Sequence, residues 1–235
     1  LAGEQFFKML QSKTAFPTTS QITPGVFMET FNTYKDYDLV IYVAVSSALS
    51  GTCDVARLVA QDYPNVLVFD SKQVTFAEGS LVIALCRHLE KINSREAAEK
   101  FLRIASNRLQ SYFIVDTLEY LVKGGRLSRM KGMVGSVLRL KPVLTLKEGK
   151  LESLTTERGR LKAMNFVIER LREDFSDKKI PALGLYHALD EEGLYQFKNL
   201  ILREFEVSEI IEAEVGSVVG AHAGPGCIAI SYFKD

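Results

Sequence analysis

Apolar positions along the chain fall into two alternating patterns. Residues 39–45, Leu-Val-Ile-Tyr-Val-Ala-Val, form an unbroken apolar run rich in β-branched residues, the mark of a strand buried on both faces of a parallel sheet. The same reading holds for residues 66–69 and 112–115. Between these runs lie helical patterns. Residues 3–12 carry Phe6, Phe7 and Leu10. Residues 24–34, opened by Thr23 as cap and Pro24 at the first helical position, carry Val26, Phe27, Thr30, Phe31 and Tyr34. The stretch from Thr52 places Val55, Leu58, Val59 and Tyr63 on one face. Residues 76–91 and 94–109 complete the set, and 118–122 is a short helical stretch. A further helix is expected around Val134, Val137 and Leu138, ending before Pro142.

Alternating strands and helices argue for an α/β fold with a doubly wound parallel sheet over residues 1–141. The pattern then changes. Residues 143–146 and 151–155 flank Lys147-Glu-Gly-Lys150, a hairpin signal, and are followed by a helix over 159–175, a strand over 182–187, a helix over 191–205 and strands over 209–215 and 227–233. Residues 142–235 therefore read as a second, smaller α/β domain with a mixed or antiparallel sheet. Leu1 stands at the start of an amphipathic helix without a preceding Met, and the expectation is that residues upstream are missing.

The 235 residues are 47% hydrophobic, enough for one large or two small cores, and 29 Lys+Arg balance 29 Asp+Glu. A neutral chain lacks the cationic excess of a broad nucleic-acid footprint. Cys53, Cys86 and Cys227 are far apart with no CxxC, and read as buried thiols of a reducing, cytoplasmic compartment. His88, His187 and His222 show no metal-ligand spacing, and no apolar run reaches membrane-span length. No metal or cofactor is expected.

Polar residues collect where strands end. Ser46-Ser-Ala-Leu-Ser-Gly-Thr52 follows the first apolar run and feeds a helix N-terminus, so Ser47, Ser50, Gly51 and Thr52 could bind an anion; capping of the helix by Ser50 or Thr52 is an equal alternative. Thr18-Thr-Ser-Gln21 and Asp70-Ser71 are similar loops. Gly220-Ala-His-Ala-Gly-Pro-Gly226 packs three glycines, a proline and a histidine between apolar strands, which favours a ligand loop with His222 as donor or acid/base over a plain turn. Arg126, after two glycines, either meets an anion or braces its own loop. Arg158, Arg160 and Lys162 open a helix where the dipole disfavours cations, a feature of a docking patch or of a plain charged face. Carboxylates on the helices read as solvated. No G-x-S-x-G elbow, P-loop or G-x-G-x-x-G fingerprint is present, which weighs against a hydrolase or phosphoryl-transfer enzyme built on Ser50 and His222.

These loops, taken in order with Gly124-Gly-Arg-Leu-Ser128, resemble the DegV family of bacterial fatty-acid-binding proteins over essentially the whole chain. The resemblance implies a non-enzymatic protein of two domains with a long-chain fatty acid between them. The acyl chain would lie in an apolar tunnel, with Thr19, Ser50 and His222 holding the carboxylate and Ser20, Ser47, Gly51, Thr52 and Arg126 nearby. It also implies a possible partner, a fatty acid kinase, for which Arg158, Arg160 and Lys162 are docking candidates, or a part in lipid transport. Family members open with a strand and an Asp-Ser-Thr/Ser loop that this sequence does not contain ahead of Leu1, so the parallel sheet is expected to lack its first strand.

Overall fold

A computed structural model describes residues 3–12, 16–127 and 140–234, without the side chain of Glu4. The chain divides into two compact units, Ser20–Arg108 with Glu148–Lys150, and the remainder.

In the first unit, β1 (Val40–Ala44) and β2 (Val66–Asp70) pair in parallel, Val40 opposite Val66 and Ala44 opposite Asp70. Side chains alternate across a strand, so each strand can serve two layers. Val40, Tyr42, Val66 and Val68 turn toward α2 (Pro24–Thr33) and α3 (Thr52–Ala60), meeting Phe27, Phe31, Ala56 and Val59. The residues between them, Val43 and Leu67, are buried as well, and α4 (Phe76–Arg87) and α5 (Arg95–Arg108) pack against β1 and β2. Pro24 occupies the first turn of α2 as expected, although the Thr23 side chain makes no capping bond. α3 buries Thr52, Cys53, Ala56 and Val59. Leu58, expected on that face, points to solvent at 61% exposure, because the helix rotates it away from α2 and the sheet.

The second unit is the larger. It contains α1 (Gly3–Gln11), β3 (Leu109–Ile114), α6 (Glu119–Lys123), β4 (Leu140–Lys147), β5 (Lys150–Arg158), α7 (Arg160–Asp174), β6 (Lys179–Ile180), β7 (Leu183–His187), α8 (Glu191–Leu202), β8 (Glu206–Val207), β9 (Ile210–Glu214), α9 (Ser217–Ala223) and β10 (Ile228–Phe233). The six-stranded sheet runs β5-β4-β3-β10-β7-β9, mixed in sense: β3 is antiparallel to β4 and β10, β10 antiparallel to β7, and β7 parallel to β9. One face, with Tyr112, Ile114, Leu185, Ile228 and Ile230, forms a core with α7 and α8. α7 supplies Ala163, Met164, Val167, Ile168 and Leu171, spaced to keep one stripe inward. α1 and α6 pack against α9.

The fold is therefore α/β with a parallel pair in one unit and a mixed sheet in the other. One expectation of strand pairing changes. The strand at 112–115 does not extend the parallel sheet. As β3 it sits antiparallel between β4 and β10, because a run buried on both faces satisfies either sheet equally. Consequently residues 109–127, 140 and 141 group with the C-terminal strands. The hairpin at 147–150 forms as expected, with Glu148 and Gly149 both at positive φ. Of the three thiols, Cys53 and Cys227 are buried, whereas Cys86 is exposed. The helix expected around 134–138 and the residue Ser128 lie outside the described residues. No described helix is long and apolar enough to cross a membrane.

Candidate functional site

In the first unit the 46–52 loop is tied down from within. Ser46 is fully buried and donates through Oγ to the Gly149 carbonyl at 2.8 Å. Ser47 is engaged by Asp70, which accepts from the Ser47 hydroxyl at 2.6 Å, from its backbone N–H at 3.2 Å and from the Lys72 N–H at 3.0 Å. Asp70 thus staples two strand-end loops together. Ser71 is buried in a turn with Gln73. Gly51 precedes α3, and the end of the Gln21 side chain lies so close to it that a Cβ there would displace it.

Ser50 and Thr52 form a short hydroxyl chain. The Ile22 N–H donates to Thr52 Oγ1 at 3.3 Å, the two hydroxyl oxygens are 3.0 Å apart, and the Thr52 N–H donates to Ser50 Oγ at 3.3 Å. With Thr52 Oγ1 already accepting from Ile22, its own proton is best directed to Ser50. The Ser50 hydroxyl proton is then the donor this chain still offers. Ser50 both braces the start of α3 and keeps a free donor, so the capping and anion-binding readings are compatible. Ser20, also in this unit, is exposed.

In the second unit Thr19 Oγ1 lies 2.7 Å from His222 Nε2. His222 is not on a loop, as its glycine-rich surroundings suggested. It stands in the last turn of α9, and the chain leaves the helix through Gly224 and Gly226, both at positive φ. The other ring nitrogen, Nδ1, is buried and unpartnered among the described residues. A proton there would be an orphaned buried donor, which costs more than an unfilled acceptor. The ring therefore carries its proton on Nε2 and donates to Thr19 Oγ1, leaving the Thr19 hydroxyl proton directed outward. Burial, and then the Arg126 guanidinium, hold the imidazole below the ordinary histidine range, so it is neutral near pH 7. Arg126 donates to its own loop at the Gly124 carbonyl, 2.7 Å away; it braces that loop and supplies a positive field to His222.

A hydrolytic triad needs a carboxylate or equivalent acceptor behind the base. Nδ1 of His222 faces Gly124 and has no acceptor among the described residues. The hydroxyl that His222 engages is that of Thr19, and the one Ser50 engages is that of Thr52. These are neutral hydroxyl donors of the kind that hold an acceptor ligand. Burial pushes the Cys53 thiol up to about 11 and that of Cys227 up to about 12, so neither is a thiolate nucleophile at neutral pH. Among the described residues no group of three or more His, Cys, Asp or Glu is placed to hold a metal ion.

The three cations at the start of α7 separate. Arg158 and Lys162 are exposed. Arg160 is not available for docking: it pairs with Asp190, bonds Asp116 at 2.7 Å and donates to the Gly226 carbonyl at 3.1 Å. The helix dipole that should disfavour a cation here is outweighed by these two carboxylates, which are remote in sequence.

Sequence reasoning also missed Glu78. It was expected on a solvated helix face, but it is half-buried in the first turn of α4, and burial raises its carboxyl to about 7. Its charge acts on Tyr42 of β1. An acidic residue in an otherwise apolar first turn gives little sequence signal of burial.

The two units, a parallel αβ pair and a mixed sheet with helices on it, each carry a hydroxyl-bearing site. The family model described as "Uncharacterised protein, DegV family" matches residues 1–235, and the chain belongs to the DegV family. It is 32% identical over 233 residues to a protein of Thermotoga maritima named fatty acid-binding protein, covering 95% of this chain and 79% of that one. It is 32% identical over 238 residues to a DegV domain-containing protein of Caldanaerobacter subterraneus, covering 99% of this chain and 83% of the relative. A solved DegV family structure from Thermus thermophilus, described for its fatty acid binding, superposes with a TM-score of 0.91 at 31% identity, covering 100% of this chain and 85% of that one.

Proposed function

We propose that this chain binds a long-chain fatty acid non-covalently and does no chemistry on it. The observation that carries the reading is the Thr19–His222 pair, 2.7 Å between Oγ1 and Nε2: with the ring proton on Nε2, as the buried, unpartnered Nδ1 argues, the threonine hydroxyl proton is left for an acceptor. A carboxylate is such an acceptor. The ligand named for relatives in Thermotoga maritima and Thermus thermophilus carries one. In the other unit the Ser50–Thr52 chain offers a hydroxyl donor of its own, with Gly51 letting the Gln21 side chain approach the loop. Ser47 serves in this reading by holding the loop to Asp70.

The energetics suit a simple head-group site. Each buried methylene contributes about 0.8 kcal/mol, so the acyl chain supplies most of the affinity. The head group has only to be satisfied and oriented, which hydroxyls and a histidine accomplish without metal or cofactor. A cytoplasmic location belongs to the proposal and is supported by the free buried thiols of Cys53 and Cys227.

The finer part of the proposal is presentation of the bound acid to a fatty acid kinase, or a part in lipid transport. Arg158 and Lys162, exposed cations at the start of α7, are the candidate docking residues. Thr19→Val tests the head-group assignment. Calorimetric titration with palmitate should show weaker binding than wild type, and unchanged affinity would remove Thr19 from the site.

A further inference from the structure

Both partners of the Thr19–His222 hydrogen bond rest on one short helix, α6. Thr19 lies in a stretch with neither helix nor strand, so something outside that stretch must hold it. Three residues earlier, the Phe16 ring lies beneath the Lys123 ammonium, 3.4 Å from Nζ to the ring centroid. The same ring sits 5.9 Å from that of Tyr120, tilted by 42°. Lys123 is fixed in turn by Glu119, one helical turn back, at 2.8 Å. α6 thus provides an exposed cation and a buried aromatic ring that grip one phenylalanine.

His222 and its helix meet the same Tyr120 ring and the C-terminal end of α6. The Tyr120 ring packs flush against Gly224, the first residue beyond α9, leaving no space for a Cβ. Gly124, the first residue beyond α6, packs equally closely on the His222 imidazole at Nδ1. Tyr120 therefore touches both the segment that leads to Thr19 and the end of the helix that carries His222.

We propose that α6 is the template that sets the Thr19–His222 distance, with Phe16, gripped by Lys123 and Tyr120, as a positioning residue for the ligand's head group. This rests on the fatty-acid reading given above. Phe16 is 38% exposed, so its removal opens no core cavity. Its effect should be confined to where Thr19 sits.

The test uses Phe16→Ala, the charge-removing Lys123→Met and the aromatic rescue Phe16→Tyr, each in the whole chain. Palmitate affinity is measured by titration, thermal stability by Tm, and the His222 ring nitrogens of ligand-free protein by NMR. Phe16→Ala is expected to weaken binding about fivefold, the scale of an exposed cation–π contact. Tm should change little, Phe16→Tyr should restore affinity, and the His222 nitrogen shifts should move. In a Thr19→Val background Phe16→Ala should cause no further loss, because its action passes through Thr19. Equal losses in both backgrounds, or unmoved His222 shifts, would overturn the proposal. If wild-type protein binds no palmitate but Phe16→Ala still moves the His222 shifts, the template stands and only the ligand assignment falls.

Discussion

Thr19 and His222 stand 203 positions apart in the chain, and the threonine hydroxyl oxygen lies 2.7 Å from the histidine Nε2. The contact gives the imidazole proton a use and frees the hydroxyl proton for a ligand. Thr19→Val keeps the shape and removes that donor. A hydrogen bond to a charged group contributes about 1.5–3 kcal/mol, so affinity for a long-chain fatty acid should fall by roughly ten- to a hundredfold. Titration of the two proteins side by side checks this. Ser50→Ala tests the second donor in the same way and should also weaken binding.

The site was only partly legible in the sequence, and the reasons are physical. Local patterns were sufficient for β1, β2, α7 and the 147–150 hairpin, where periodicity and turn chemistry act over a few residues. They were insufficient for α9. Gly220 and the following Gly-Pro-Gly disguise a helix whose stability comes from packing on α1 and α6. The sense of β3 was hidden too, since an apolar run records burial but not the direction of its neighbours. The engagement of Arg160 depends on Asp116 and Asp190, 44 and 30 positions away, and no local signal announces it. The Thr19–His222 contact is likewise long-range. The sequence offered Thr19 and His222 as neighbours only through the order of motifs shared with a family.

His222 makes stability depend on acid. Burial and the nearby Arg126 hold its folded-state pKa below the unfolded value of 6.5. Above about pH 6.5 both states are neutral and the contribution is fully present. As pH falls, the unfolded chain takes up the proton first, and stability is lost through the folded pKa. His222→Gln should show a shallower decline in Tm between pH 7.5 and 5 than wild type. An identical decline would mean that His222 titrates as it does when unfolded.

Glu78 acts in the opposite sense. Burial raises its carboxyl to about 7 from its ordinary value of 4.5, so the folded state keeps a proton that the unfolded chain releases. Its contribution is complete below the unfolded value and is lost as pH rises through about 7. Glu78→Gln should therefore stabilise the protein at pH 8, by at most about 3 kcal/mol, and make little difference at pH 4. Urea unfolding at the two pH values distinguishes this from a solvated carboxylate, for which neither would change.

Arg158, Arg160 and Lys162 should respond differently to charge reversal. Arg160→Glu places a carboxylate beside Asp116 and Asp190 and should destabilise by about 1–3 kcal/mol, less than a fully buried pair because all three side chains keep some contact with solvent. Arg158→Glu with Lys162→Glu should leave Tm and palmitate binding unchanged. If these residues dock a kinase, the double variant should also slow kinase-dependent acyl phosphate formation, less so as salt rises. A wild-type rate at all salt concentrations would make them a solvated face.

The central claim is that a carboxylate is recognised and an acyl chain retained. Native mass spectrometry of the whole chain incubated with palmitate, and separately with methyl palmitate, tests it most directly. The account predicts one palmitate per chain, sharply reduced by Thr19→Val, and weak retention of the ester, which lacks the charged acceptor. Ester retained as well as acid, or no palmitate retained at all, would contradict it.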